Sequence, residues 1–211
     1  MLKVNEIFYS LQGETSRIGL PTVFVRLTGC PLRCGYCDTA YAFNEGVSLE
    51  IPAILEQVAA FHPRYVTVTG GEPLAQKECP ALLTSLCDAG YSVSLETSGA
   101  LDIGKVDSRV SRIVDVKTPA SGEADKNRWA NLELLTPHDE LKFVICDAED
   151  YAWAKSVLLE RRLNEKCPVL FSPVAGALQP ADLADWILRD RLDVRFQLQL
   201  HKLLWREDRG R

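Results

Sequence analysis

The chain has 211 residues, 46% hydrophobic and 25% charged, values that allow a sizeable core and exclude long disorder. Lys and Arg total 24 against 29 Asp and Glu, and the net charge of −5 makes nucleic acid and an anionic membrane surface poor default partners. No apolar run reaches the ~18 residues of a membrane span, and MLKVNEIFYSLQGE meets Asn5 and Glu6 too early for a signal peptide. Seven cysteines, three of them clustered, point to a reducing cytoplasm with metal-binding or reactive thiols rather than a disulfide framework.

In chain order, TVFVRLT (22–28) alternates, with Val23, Val25 and Leu27 on one face, and reads as a strand ending where the cysteines begin. Residues 48–61 place Ile51, Ile54, Leu55 and Val58 on one helical face, with Ser48 as N-cap and Pro52 tolerable only in the first turn. YVTVT (65–69) is a strand, followed by GGEP and a helix over 79–89 closed by Gly90. YSVSLE (91–96) and RIVDV (112–116) are strands that stop at TSG and KTP. ELKFVI (140–145) leads into a helix over 147–163, and PVLFSP (168–173) into one over 179–190. VRFQLQL (194–200) reads as the last strand. The stretch 118–139 is the least periodic and reads as a lid or irregular loop.

Strand then helix, six or seven times over, predicts parallel strands with right-handed crossovers. The length favours an α/β fold of the partial, open TIM-like barrel kind, with about six parallel strand–helix units; a doubly wound open sheet is the competing layout. The expected organisation is a single domain over 1–211, with 205–211 as an exposed charged tail. Polar or glycine-rich residues follow nearly every strand: the cysteine loop, TGGEP, ETSG, DVKTP and FSPVAG. Five such loops at the carboxyl ends of parallel strands point to one shared pocket.

RLTGCPLRCGYCDTAY holds Cys30, Cys34 and Cys37 in a Cys-x3-Cys-x2-Cys spacing. Thiolates suit zinc or iron–sulfur clusters. A structural zinc needs a fourth ligand, which would have to come from Cys79, Cys87, Cys146, Cys167 or a histidine, and none of these forms a second close pair. The four outlying cysteines read as buried, inert thiols. A cubane held by three cysteines keeps one iron open to an exogenous ligand.

That spacing after a first strand, with Tyr36 before the last cysteine and GGEP (Gly70 to Pro73) ending the next strand, resembles the radical S-adenosylmethionine superfamily. The resemblance implies a 4Fe-4S cluster on the three cysteines. S-adenosyl-L-methionine would sit on the open iron and be cleaved by one electron to a 5′-deoxyadenosyl radical. NEIFYSLQGET, GLPTVFVRLTGCPLRCGYCDT, ETSG and the late QLHK, in order over most of the chain, closely resemble the 7-carboxy-7-deazaguanine synthase family. Members are lyases that rearrange 6-carboxy-5,6,7,8-tetrahydropterin to 7-carboxy-7-deazaguanine with loss of ammonia, assisted by Mg2+, on the way to queuosine and other deazapurines.

The resemblance carries roles onto matching positions. Leu11, Gln12 and Gly13 would hold the pterin's polar edge, Arg26 its carboxylate, and Thr69 a further substrate contact. Cofactor contacts would come from Tyr36, Asp38, Gly71, the loop Asp115, Val116 and Lys117, and Ser172, Pro173, Val174 and Ala175. Thr39 would touch magnesium; a helix cap is the competing reading of that residue. Relatives show Ser-Pro-Lys where this chain has Asp115-Val116-Lys117, and commonly end soon after His-Lys, whereas this chain continues through LLWREDRGR. Which residue closes the pocket there, Trp205 or the terminus, stays open, as does any role for His201. No protein side chain is singled out as the catalytic group. The implied partners are the small-molecule pterin, a flavodoxin or ferredoxin-type reductant and a second copy of the chain as a homodimer, with no nucleic acid and no membrane. The rival functions are a glycyl-radical-activating enzyme, which shares the cluster and GGEP, and a zinc or iron–sulfur binding module.

Overall fold

The computed structural model describes residues 1–205, 208 and 210. The strands are β1 (Leu2–Leu11), β2 (Pro21–Leu27), β3 (Val47–Leu49), β4 (Tyr65–Gly70), β5 (Ser92–Thr97), β6 (Ser111–Val116), β7 (Glu140–Ile145), β8 (Val169–Pro173) and β9 (Arg195–Phe196). The helices are α1 (Ile51–Ala59), α2 (Cys79–Asp88), α3 (Ala148–Glu160), α4 (Pro180–Asp190) and α5 (Leu200–Trp205). All strands join one sheet in the order β3-β1-β2-β4-β5-β6-β7-β8-β9. Every pairing from β2 to β9 is parallel, while β1 runs antiparallel to both its neighbours. β3 and β9 do not pair with each other, so the barrel is open, as expected.

Strand alternation separates two faces. Val23, Val25, Leu27, Val66, Val68, Val93, Leu95, Leu141 and Phe143 point outward into a core shared with Ile54, Val58, Leu82, Leu83, Ala154, Leu158 and Ile187 of the helices. The side chains between them point inward: Phe24, Arg26, Thr67, Thr69, Ser94, Glu96, Asp115, Lys142 and Ser172. Hydrophobic stabilisation therefore lies outside the sheet, and the interior is left for polar work.

Several local expectations are corrected. Ser48 pairs with Lys3 in β3 and does not cap α1, whose N-cap is Glu50; Pro52 sits in the first turn as required. No α-helix links β5 to β6, and β6 reaches β7 only through 3-10 turns, including Trp129–Leu134, so the least periodic stretch is irregular as read. The last strand shrinks to Arg195–Phe196, because Gln197 turns inward and binds both the backbone N–H and C=O of Thr15, at 2.7 and 2.8 Å. Trp205 ends α5, half-buried, rather than starting a tail. Of the expected tail, residues 206, 207, 209 and 211 lie outside the described residues, and Asp208 is exposed.

Candidate functional site

A cavity of about 380 Å³ opens at the carboxyl ends of the parallel strands. Its wall contains Leu11, Gln12, Gly13, Arg26, Cys30, Cys34, Tyr36, Cys37, Asp38, Thr39, Thr69, Gly71, Asp115, Lys117, Val174 and Ala175. These are sixteen of the expected site residues, gathered from strands and loops far apart in sequence. Three others are not on the wall. Val116 is 4% exposed in the outer core, which leaves only its main chain available to a ligand. Ser172 and Pro173 are buried in β8; the Ser172 hydroxyl has no hydrogen-bond partner among the described residues.

The floor arrives by an unexpected route. Because β1 is antiparallel to β2, Leu11 pairs with Pro21 at the amino end of the parallel strands. The loop 12–20 therefore enters the open barrel from below. Ser16 donates its backbone N–H to Glu140, Arg17 binds Ser92, and Thr15 is held by Gln197. Gln12, 2% exposed, donates from Nε2 to Thr67 Oγ1 at 3.3 Å and Glu96 Oε1 at 3.2 Å. Gly13 donates no side chain because none fits: an added Cβ would lie 2.6 Å from His201 Nδ1. Its carbonyl accepts the N–H of Leu200 at 2.9 Å and so seats the first turn of α5. His201 and Lys202 reach the cavity, whereas Trp205 does not line it.

A buried polar network that the sequence reading missed ties this floor to the walls. Glu14 is ion-paired with Lys142 and accepts from Gln199 Nε2 at 2.9 Å. Burial alone would raise the Glu14 carboxyl, but Lys142 outweighs it and holds the group below the usual carboxylate range. Lys142 lies 3.8 Å from Asp115, which pairs with Lys117 at 2.9 Å. Burial and then the Glu14 charge push the Glu96 carboxyl up, and Thr69 donates to it at 2.9 Å. Strand alternation was the available signal: Lys142 sits between outward-facing Leu141 and Phe143, and Glu96 follows outward-facing Leu95.

GGEP is placed by packing as much as by any ligand. A Cβ on Gly71 would lie 2.3 Å from the Gly29 carbonyl oxygen, so the loop after β4 abuts the cysteine loop after β2. Glu72, fully buried, accepts from Thr97 Oγ1, from the N–H and hydroxyl of Ser98 and from the Leu74 N–H, locking this loop to ETSG.

Cys30, Cys34 and Cys37 are free, half-buried thiols on one wall. Burial pushes the Cys30 and Cys34 thiols up, so a metal must draw off their protons. Among the described residues no three His, Cys, Asp or Glu side chains gather closely enough for a single ion. Three thiols on one wall suit a cluster, which spreads its thiolates over several irons. Cys79 and Cys167 are buried as expected, whereas Cys87 and Cys146 are only partly buried, and none of the four lines the cavity. Across the wall, Asp115 Oδ1 is buried with no partner among the described residues, an acceptor left for a ligand with donor groups. Thr39 occupies the N-cap position of a 3-10 turn but makes no capping bond; it donates to Asp38 Oδ1 at 2.8 Å. Lys202 approaches the other oxygen of Asp38 at 3.3 Å. Arg26 donates from Nε to Glu6 Oε1 at 2.7 Å and lines the cavity.

Comparison with known proteins agrees with this geometry. The family described as Radical SAM superfamily matches residues 24–162. A 7-carboxy-7-deazaguanine synthase of Chlorobaculum tepidum is 48% identical, covering 98% of this chain and 96% of the relative. One from Koribacter versatilis is 43% identical, covering 97% of each. The crystal structure of QueE from Escherichia coli superimposes with a TM-score of 0.78 at 22% identity, covering 95% of this chain and 94% of that one.

Proposed function

The chain belongs to the radical S-adenosylmethionine superfamily and, within it, to the 7-carboxy-7-deazaguanine synthases, and on that footing we propose how its cavity rearranges 6-carboxy-5,6,7,8-tetrahydropterin to 7-carboxy-7-deazaguanine with release of ammonia. As a lyase of this family it works with a 4Fe-4S cluster and S-adenosyl-L-methionine. The observation that carries the reading is that three free thiols, the Arg26 guanidinium and a polar floor face one cavity of about 380 Å³, a size suited to small molecules.

Cys30, Cys34 and Cys37 would hold the cluster. Tyr36, Asp38, Gly71, Asp115, the Val116 main chain, Lys117 and the loop 172–175 would hold S-adenosyl-L-methionine. When bound, these groups supply a hydrogen-abstracting equivalent that is regenerated in each turnover. The protein binds, orients and shields. Arg26 grips the pterin carboxylate as a charge-assisted pair. Gln12, fixed by Thr67 and Glu96, and Thr69, fixed by Glu96, present the polar edge that aligns the ring. Gly13 holds His201 and the first turn of α5 against the site, which excludes water from the reacting atoms. Thr39 with Asp38 offers oxygen ligands to Mg2+, the rest coming from substrate and water. The whole chain acts as a single domain in the cytoplasm, as a homodimer, with a flavodoxin or ferredoxin-type protein as reductant. Among the described residues no helix is long and apolar enough to cross a membrane.

A glycyl-radical-activating enzyme would need room for a protein backbone. A floor plugged by residues 12–20 and a rim occupied by α5 favour the small substrate. Arg26→Ala tests the reading. Loss of a buried charge pair should cost substrate binding about 2–5 kcal/mol, and an unchanged Michaelis constant would remove Arg26 from the site.

A further inference from the structure

One acidic side chain beside the cavity has no part in the roles above. Glu6 sits on β1 directly opposite Arg26 on β2. That register exists because of a bulge: Val4 faces Leu27, but Glu6, not Asn5, faces Arg26. Val4 and Leu27 both point into the outer core. An unbroken ladder would set Asn5 across from the arginine. Bulges next to functional sites re-aim side chains in this way.

Glu6 Oε1 accepts from Arg26 Nε at 2.7 Å and from the Tyr41 hydroxyl at 2.9 Å. The guanidinium carbon lies 5.7 Å from the Phe8 ring centre and 5.8 Å from that of Tyr41. The carboxylate sets the direction of the fork, and the two rings flank it. Among the described residues neither Nη of Arg26 makes a hydrogen bond, although Arg26 lines the cavity. An arginine can grip a carboxylate side-on, through Nε and one Nη, or end-on through both Nη. Here the side-on edge is taken.

We propose that Glu6 is a positioning residue for the reaction: it occupies the Nε edge of Arg26 so that the two Nη groups meet the substrate carboxylate end-on. This rests on the carboxylate role of Arg26 given above. It runs against simple Coulomb reasoning, since a carboxylate beside an anion site repels the anion. Removing Glu6 therefore has opposite expected signs under the two ideas. Coulomb terms alone predict tighter substrate binding, and positioning predicts weaker binding.

The test uses the full-length, anaerobically reconstituted enzyme with Glu6→Leu, Glu6→Gln and Arg26→Ala. The ligands are 6-carboxytetrahydropterin and the same pterin lacking the carboxylate. Glu6→Leu should raise the Michaelis constant for the carboxypterin about tenfold, the worth of one hydrogen bond to a charged group, with kcat falling by less. Glu6→Gln keeps an acceptor oxygen for Nε and should recover most of the loss. Parent and both variants should bind the carboxylate-free pterin alike. Tighter binding of the carboxypterin by Glu6→Leu would overturn the proposal, as would equal weakening toward both pterins. If Glu6→Leu does not fold, Tyr41→Phe takes its place; it removes one tether of Glu6 and should raise the Michaelis constant a few-fold for the carboxypterin only, no such rise counting against the idea. If Arg26→Ala leaves carboxypterin affinity intact, the carboxylate reading itself falls. If Arg26→Ala weakens binding and Glu6→Leu does not, only the positioning idea falls.

Discussion

Lys142→Met should expose how much of the site is held by the Glu14–Lys142 pair. Both side chains are 13% exposed. Removing Lys142 leaves the Glu14 carboxylate buried, with Gln199 as its remaining donor and the Glu96 carboxyl close by. Breaking a buried pair from one side costs roughly 3–5 kcal/mol. The surviving Gln199 bond argues for the low end, about 3 kcal/mol, or a fall in Tm of roughly 6–12 °C in a chain of this size. Adding Glu14→Gln removes the stranded charge and should bring stability back to within about 1 kcal/mol of the parent, because neutralising both partners of a buried pair costs little. Denaturant and thermal unfolding of the cluster-free chain measure both. The pH dependence follows from the same pair. Glu14 is lowered from its ordinary 4.5, so its contribution is complete above that value and is lost as pH falls through its folded value. Lys142 is raised from its ordinary 10.5, so its contribution persists below that value and is lost as pH rises through its own folded value. The parent should lose stability in acid that the double variant does not. A single variant costing under about 1 kcal/mol, or a double variant as unstable as the sum of its parts, would refute a buried, coupled pair.

Other outcomes are equally specific. Gly13→Ala would place a methyl 2.6 Å from His201 Nδ1 and push α5 off the floor, so the pterin Michaelis constant should rise; parental kinetics would show that α5 does not close the site. Glu72→Ala strips acceptors from Thr97, Ser98 and Leu74 and should destabilise the chain by roughly 2–4 kcal/mol, each stranded donor costing about 1 kcal/mol or more; chemical denaturation reads it. Ala at Cys79, Cys87, Cys146 or Cys167 should leave iron content intact, while Ala at Cys30, Cys34 or Cys37 should abolish cluster assembly, as counted by iron and sulfide analysis. Thr39→Ala should weaken stimulation by Mg2+, and equal stimulation would take Thr39 out of the metal site.

The walls of the site were legible in sequence because glycine and cysteine mark them locally. Each parallel strand ends in a short loop of unusual composition, and parallel strands bring those loops to one end. The floor was legible only in part: resemblance named Leu11, Gln12 and Gly13, but not Glu14 nor the direction from which they arrive. Nothing in SLQGETSRIGL announces that the strand before it is antiparallel, so the approach of Gln12 and Glu14 from beneath depends on topology rather than pattern. Glu96 and Lys142 were hidden differently. Their alternation was visible, but which face of each strand looks inward is fixed only when helices cover the other. Ser48 and the final strand failed for a shared reason. Ser48 is drawn into a ladder with Lys3, and Gln197 into bonds with Thr15, distant partners that override local propensity. The register shift at Asn5, which brings Glu6 to Arg26, leaves no local mark at all.

All the roles assigned to this cavity converge on turnover of a carboxypterin. The most direct measurement is anaerobic incubation of the reconstituted protein with 6-carboxytetrahydropterin, S-adenosyl-L-methionine, Mg2+ and a chemical reductant, followed by mass analysis. Turnover in this cavity should give 7-carboxy-7-deazaguanine and ammonia in equal amounts, with S-adenosyl-L-methionine largely regenerated. Cleavage of S-adenosyl-L-methionine to methionine and 5′-deoxyadenosine with the pterin unchanged would contradict it.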